Sequence, residues 1–336
     1  MKTSQRLEQG LQQMQGWMVL RHNRSKTFHQ YARIVRAFYV WLQARPEIGQ
    51  LSSEKKIETW LTMRARQGCA ASTQNVEFSA LRLFYERGLG VQLHGIDALR
   101  AVRPPTIRRA PSLEQVAAIL PLVPNLYGYP CQLIVEWIYG SGLRVSEPLN
   151  ARLKDIDWKE SKFTVRDGKH GVSRVVPIPC CLMPRLAAQA EIARLVHLQD
   201  KANGVPVPLP RLLAKKYPRA PFAEAWAFLF PAKAPCEYEG ATWRYRVHEA
   251  AIQRAFKAGV LAAGVAEDLT PHHLRHAWAT HMARRTGVTL RDVQVALGHK
   301  HLDTTAGYVT PEVDRLPDAL ECLRRSNIVP IVMHRA

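Results

Sequence analysis

Between Thr27 and Leu42 the apolar residues Tyr31, Ile34, Val35, Phe38 and Leu42 recur at the spacing of one buried helical face. The stretch SSEKKIETWLTMRARQG predicts a second helix. Ser52 or Ser53 would open it, since a hydroxyl can accept one of the N–H groups left orphaned at a helix start, and Gly68 would stop it. STQNVEFSALRLFYERG predicts a third, opened by its Ser or Thr and closed by Gly88. Residues 1–102 therefore read as an all-helical unit. The pattern breaks at LRAVRPPTIRRAPSLEQ, where Pro104, Pro105 and Pro111 disfavour helix, and residues 103–111 read as an extended linker. Ser112 opens the next helix, and YPCQLIVEWIYGSG holds a buried one that ends at Gly140. In KFTVRDGKHGVSRVVPIP the period changes: two β-rich arms, Lys162 to Arg166 and Arg174 to Ile178, flank a Gly-containing turn. Helices then return, apart from a less regular stretch rich in proline and aromatics between Leu195 and Arg246. Thr270 with Pro271 marks a helix start, Thr289 to Leu297 a helix stopped by Gly298, and a short helix capped by Asp303 would carry Tyr308. The fold class is mainly α with a small β-sheet: a helical N-terminal domain, then an α+β domain over residues 112–336.

Charge narrows the partners. The chain has 47 Lys+Arg against 28 Asp+Glu, a formal net charge of +19 on 336 residues, which points to a polyanion. Its 47% hydrophobic content is enough for two cored domains and excludes a disordered basic tail. MKTSQRLEQGLQQMQGW lacks an apolar leader core, and no run reaches the roughly 18–20 apolar residues of a membrane span. A cytoplasmic, nucleoid-associated bacterial protein without membrane contact is expected. The 6 cysteines form no C-x-x-C pair, so neither a zinc ribbon nor a disulfide framework is signalled. Arg21, Arg24 and Lys26 precede or begin the first predicted helix, and Arg108 and Arg109 lie in the linker. Both groups are candidate contacts to a nucleic-acid backbone.

LTPHHLRHAWATHMARR gathers His272, His273, Arg275, His276 and His281. His272 and His276, four residues apart on a helix, have a spacing that can hold zinc, but the zinc-protease pattern needs Glu where His273 stands. His272 and Arg275 near a helix start suit an oxyanion, because free N–H groups and the positive dipole end point there. A solvated basic helix is the third reading. Elsewhere Arg144 follows a Gly-Ser-Gly turn, Lys169 sits in the hairpin turn, and His299 emerges just past a helix end.

Taken together, GLRVSE (Arg144, Glu147), GKHGVSR (Lys169), HHLRH (His272, Arg275), LGH (His299) and TTAGY (Tyr308) resemble, in order, the signature of the tyrosine recombinases, the phage-integrase-like site-specific recombinases. The resemblance runs from about Ser112 to Leu320, and the helical domain is more loosely similar to that family's core-binding domain. The hairpin turn departs from the pattern at His170 and Val172, as does VTPEV after Tyr308. The resemblance implies type IB topoisomerase-like chemistry without metal or other cofactor. Two guanidiniums, Arg144 and Arg275, would grip a phosphodiester whose transition state crowds negative charge. His272 and His299 would hydrogen-bond the same phosphate, with His272 helping to deprotonate the nucleophile. Tyr308 would attack to form a 3′-phosphotyrosyl link, which retains the bond energy. Lys169 would protonate the leaving 5′-hydroxyl. Glu147 and His276 would support the site, and His273 and His281 are expected to be bystanders. Four protomers would act on two DNA segments.

Residues from about 205 to 248 look like the insertion of integron integrases, which helps to hold bases protruding from a folded single-stranded cassette site. LPRLLAKKYPRA and AWAFLFPA are similar to two of its pieces, and of a third only Arg244 and His248 remain. Trp226, Pro231 and Trp243 are candidates for base contact, since ring stacking recognises unpaired bases without reading sequence. The sequence thus resembles an integron integrase most. Left open are a Xer-like or phage-type recombinase acting on duplex sites, a catalytically silent DNA-binding protein, and a metal-dependent nuclease built on the histidines.

Overall fold

The computed structural model describes residues 2–21, 25–95, 110–166, 173–209, 211–238, 240–284 and 288–298. The chain divides into two compact units, Met1–Ile107 and Arg108–Ala336.

The first unit is helical: α1 (Lys2–Leu20), α2 (Ser25–Gln43), the single turn α3 (Pro46–Gly49), α4 (Ser53–Arg66) and α5 (Ala71–Leu83), which runs on into a π-helical segment, Phe84–Gly88. Its core is built from Met14, Val35, Phe38, Ile57, Phe78 and Phe84, all essentially inaccessible. Ser52 caps α4 by accepting the Lys55 N–H at 3.3 Å, a bond of the kind whose loss costs about 1 kcal/mol. Glu77 is buried but answered, by the Trp60 indole N–H at 2.9 Å and by Arg64 Nε at 3.0 Å. α1 meets the π-helical segment where a Cβ on Gly88 would stand 2.6 Å from the Gly10 carbonyl.

The second unit is organised round α7 (Cys131–Gly140), whose sequence CQLIVEWIYG is apolar on nearly every face and buried accordingly. α6 (Leu113–Ile119) begins in a capping box in which Ser112 and Gln115 satisfy each other's backbone N–H. After α7 come the turn α8 (Ser146–Leu149) and a three-stranded antiparallel sheet, β1 (Ile156–Asp157), β2 (Lys162–Val165) and β3 (Arg174–Pro177). Phe163 pairs with Val176 in that sheet. Phe163, Val165 and Val176 are buried while Val175 faces out, as a sheet with one covered face requires. The Phe163 ring lies 4.9 Å from that of Trp137 on α7. Then follow α9 (Met183–Ala202), α10 (Arg211–Lys216), the hairpin β4 (Cys236–Tyr238) and β5 (Ala241–Trp243), α11 (Glu249–Ala262), α12 (Pro271–Ala283) and α13 (Leu290–Leu297). Among the described residues no helix is long and apolar enough to cross a membrane.

The elements refine the sequence reading in places. α1 is a full helix in a stretch whose apolar pattern assigns no element. α5 opens at Ala70 without any side-chain cap, so neither Ser72 nor Thr73 has that role. Within the proline-rich stretch the backbone forms α10 and the β4–β5 hairpin.

Candidate active site

The site grows from the turn that ends α7. Gly142 has φ +62°, and a Cβ there would stand 2.5 Å from the Trp278 ring of α12. Only glycine meets both demands. The turn is fastened from β3, whose Pro177 carbonyl accepts the Ser141 hydroxyl at 2.7 Å. The next residues reach Arg144, whose backbone N–H donates to Glu147 Oε2 and whose Nη1 donates to Oε1, each at 2.8 Å. Glu147 thus orients Arg144 from within its own turn.

A second arginine takes the same carboxylate. Arg174, the first residue of β3, donates from Nη1 to Glu147 Oε1 at 2.9 Å and from Nη2 to Oε2 at 2.6 Å. Both side chains are only 6% exposed. The third nitrogen, Nε, donates to the Ala296 carbonyl in the last turn of α13 at 2.5 Å. Arg275 of α12 completes the cluster. Its Nη1 donates to the Gly142 carbonyl at 2.8 Å and lies 3.7 Å from Glu147 Oε2, and its Nη2 donates to the Leu297 carbonyl. With the side chain 4% exposed, burial and then the charge of Arg144 push the Arg275 pKa down to about 9. It is still cationic at neutral pH. Burial by itself would raise the Glu147 pKa, but the hydrogen bonds and charge of Arg174, then those of Arg144, outweigh it and hold the carboxyl below its ordinary value.

Three guanidiniums round one carboxylate leave a net excess of two positive charges. Arg144 is the most open of the three, at 27% exposure. Such a cluster can draw in and hold an oxyanion. Arg174 was not among the residues picked out from the sequence, although it closes the GKHGVSR motif. The available signal was a lone arginine at the inward-facing start of a β-arm, where a charge is costly unless paired.

α12 presents two more of the expected groups. Thr270 caps it, and the Thr270 N–H donates to His273 Nδ1 at 3.0 Å, which gives His273 a structural part in the cap. His272 and His276 are exposed on the helix, rings 4.7 Å apart and edge to face. Among the described residues no three His, Cys, Asp or Glu side chains group as metal ligands would. His281 likewise has a partner, the Tyr139 hydroxyl 3.0 Å from its Nδ1. α13 starts in a Thr289–Asp292 capping box and stops at Gly298 with φ +64°, against Arg174 Cδ, which a Cβ would approach at 3.1 Å. Lys169, His299 and Tyr308 lie outside the described residues, as do Arg24, Arg108, Arg109 and the side chain of Lys26. Arg21 is exposed, its guanidinium 5.4 Å from the centre of the Trp17 ring.

Between residues 205 and 248, Trp226 is half-buried with Lys154 Nζ 2.9 Å from its ring centre, so one face of the indole is already covered. Its carbonyl accepts Arg152 Nη1 at 2.6 Å. Trp226 also helps line a hollow of about 700 Å³ together with Leu213, Tyr217, Pro218 and Arg219. Pro231 pairs with Arg246 in an isolated bridge, and Trp243 is half-buried in β5. Arg244 is a buried tether: its Nε and Nη2 each reach Asp200 at 2.6 Å, and its Nη1 donates to the Ala232 carbonyl.

Residues 113–315 match the model of the phage integrase family, and residues 11–95 that of the phage integrase N-terminal SAM-like domain. An integrase/recombinase of Escherichia coli is 33% identical over 291 residues, 85% of each chain. Tyrosine recombinase XerA of Pyrococcus furiosus is 27% identical over 297 residues, 88% of each. Among solved structures, the lambda integrase (75–356) dimer bound to a COC′ core site is similar with a TM-score of 0.60 at 16% identity, covering 89% of this chain and 97% of that one. The lambda integrase tetramer bound to a Holliday junction is similar with a TM-score of 0.58 at 17% identity, covering 90% and 80%.

Proposed function

The chain belongs to the phage integrase family, whose tyrosine recombinases break and rejoin DNA, and from that premise we propose that it is the member type that moves gene cassettes, an integron integrase. The observation that carries the recombinase chemistry is the arginine cluster with its two excess charges. Arg144, held by Glu147 yet open to solvent, grips the scissile phosphate. Arg275 adds its charge from close behind and reaches the phosphate by exchanging a carbonyl partner. His272 and His299 donate to the same phosphate, and His276 and Glu147 support them. Tyr308 gives up its proton with the help of His272 and attacks phosphorus, its oxygen forming the 3′-phosphotyrosyl bond as the bond to the 5′-oxygen breaks, and Lys169 gives that oxygen a proton. A phenol ordinarily ionises near pH 10, so it needs such a cationic site to react at neutral pH.

The finer reading rests on the insertion, where Trp226 helps line an open, apolar hollow with room for an unstacked base. Trp243 and Pro231 stand in the same insertion and are further candidates for base contact. Arg21, Arg24, Lys26, Arg108 and Arg109 are assigned to the DNA backbone. Four protomers would act on two DNA segments within the nucleoid; the similar lambda integrase is a tetramer bound to a Holliday junction. The rival is a Xer-like recombinase acting on duplex sites, which the XerA relative favours.

Two assays test these levels separately. A nicked suicide substrate incubated in EDTA is expected to trap a covalent adduct that Tyr308→Phe abolishes; an adduct that survives the substitution would overturn the assigned chemistry. The folded bottom strand of a cassette site is expected to bind and recombine better than its perfect duplex. A preference for duplex removes the integron reading and leaves the recombinase.

A further inference from the structure

One buried side chain joins three segments that the proposed chemistry needs together. Arg174 stands on β3, one strand of the hairpin. Its two terminal nitrogens take both oxygens of Glu147, and its Nε holds the Ala296 carbonyl in the last turn of α13. The geometry is that of a planar fork meeting a carboxylate in parallel, which a lysine cannot reproduce. From the far end of β3 the Pro177 carbonyl holds Ser141, so the strand grips the turn bearing Arg144 at two points. Gly298 leaves room for the Arg174 side chain just beyond α13.

The role follows from what Glu147 would do without this fork. A buried carboxylate must be matched by charge or hydrogen bonds. With Arg174 gone, the remaining cations within reach among the described residues are Arg144, bonded at 2.8 Å, and Arg275, at 3.7 Å. Both would be drawn onto the carboxylate, and the excess charge of the cluster would fall from two to one. We propose that Arg174 is a positioning residue: it takes up the charge of Glu147, so that Arg144 keeps an outward-facing guanidinium and Arg144 and Arg275 keep the excess charge that holds a phosphate. The inference builds on the recombinase reading, but the anion-holding it describes can be measured without DNA.

The experiment measures the affinity of the full chain for inorganic vanadate, together with a thermal melt, in wild type, Arg174→Met, Glu147→Gln and the double variant. The single substitution Arg174→Met is expected to weaken vanadate binding by about tenfold or more, the size of effect that loss of one close charge produces. The double variant restores an excess of two charges and is expected to recover most of that loss, although it lacks two more native groups. A part played only in folding would lower the melt of Arg174→Met and leave the vanadate affinity of its folded fraction unchanged. Unchanged affinity in Arg174→Met, or no recovery in a folded double variant, overturns the proposal. If Arg174→Met does not fold, the double variant decides alone, because it leaves no buried carboxylate without its fork: affinity within about threefold of wild type upholds the inference, and its loss refutes it. Adduct formation on the suicide substrate is measured in parallel. A wild-type protein that binds vanadate but makes no adduct would overturn the recombinase chemistry and leave the assignment of Arg174 standing.

Discussion

Glu147 shows why single residues in this site carry unequal weight. Its carboxylate is shared among Arg144, Arg174 and Arg275, so its charge is more stable in the folded protein than in the open chain. Its folded pKa lies below its ordinary value, with burial, the largest single cause, opposed and outweighed by Arg174 and Arg144 together. In the window between the two values the unfolded state therefore binds more protons, and stability rises with pH there. The contribution is complete above the ordinary carboxylate value and is lost as pH falls through the lower, folded one. Glu147→Gln is expected to be less stable than wild type near neutrality, with the gap narrowing on acidification. Thermal melts over that range check it: a gap of constant size would mean that the carboxylate is not responsible. The site's arginines divide in the same physical way, Arg144 open for a ligand and Arg174 closed round its acid.

At the scale of elements, the site depends on how tightly α7 and α12 meet. Gly142 is where they do so, with a positive φ and no space for a Cβ against Trp278. Gly142→Ala combines backbone strain with overpacking and is expected to cost about 2–4 kcal/mol. It also moves the carbonyl that Arg275 uses. A melt within about 0.5 kcal/mol of wild type would show that the turn can adjust, against the close packing described. The boundaries of these elements were readable where local chemistry sets them: Ser52, Ser112, Thr270 and Thr289 each stand at the N-cap position. They were not readable where packing sets them. α5 has no side-chain cap, and α1 starts in a stretch whose mixed pattern gave no clear face. The two-residue β1 exists only because β2 offers it an edge.

For the whole molecule, the two units each have a core of their own, one round Phe38 and Phe84, the other round Trp137 and Trp278. A fragment beginning at residue 108 is accordingly expected to fold and melt cooperatively by itself. It is also expected to bind duplex DNA more weakly than the full chain and with a shallower dependence on salt, since it has given up the phosphate contacts assigned to Arg21, Arg24 and Lys26. Circular dichroism and a salt titration check both parts. A fragment that stays unfolded would show that the second core needs the first, and an unchanged salt slope would show that the N-terminal basic residues do not touch DNA.

The sequence by itself determined the helices with periodic apolar faces, the caps, the Lys162 to Ile178 hairpin and, through five short motifs in order, the type of chemistry. These are legible because each depends on residues near one another in the chain. Tertiary structure alone decided which charges meet. Arg174 and Glu147 are 27 residues apart, and Arg174 and Ala296 are 122 apart. No local pattern records that a hairpin arginine, a carboxylate in a turn and a helix-end carbonyl will share one buried space. The same holds for Trp226, legible as an aromatic in a proline-rich stretch, whose cover by Lys154 arises only when distant segments pack. Burial makes the difference: a charge in water tolerates many neighbours, whereas a charge out of water requires a particular partner, which the fold supplies.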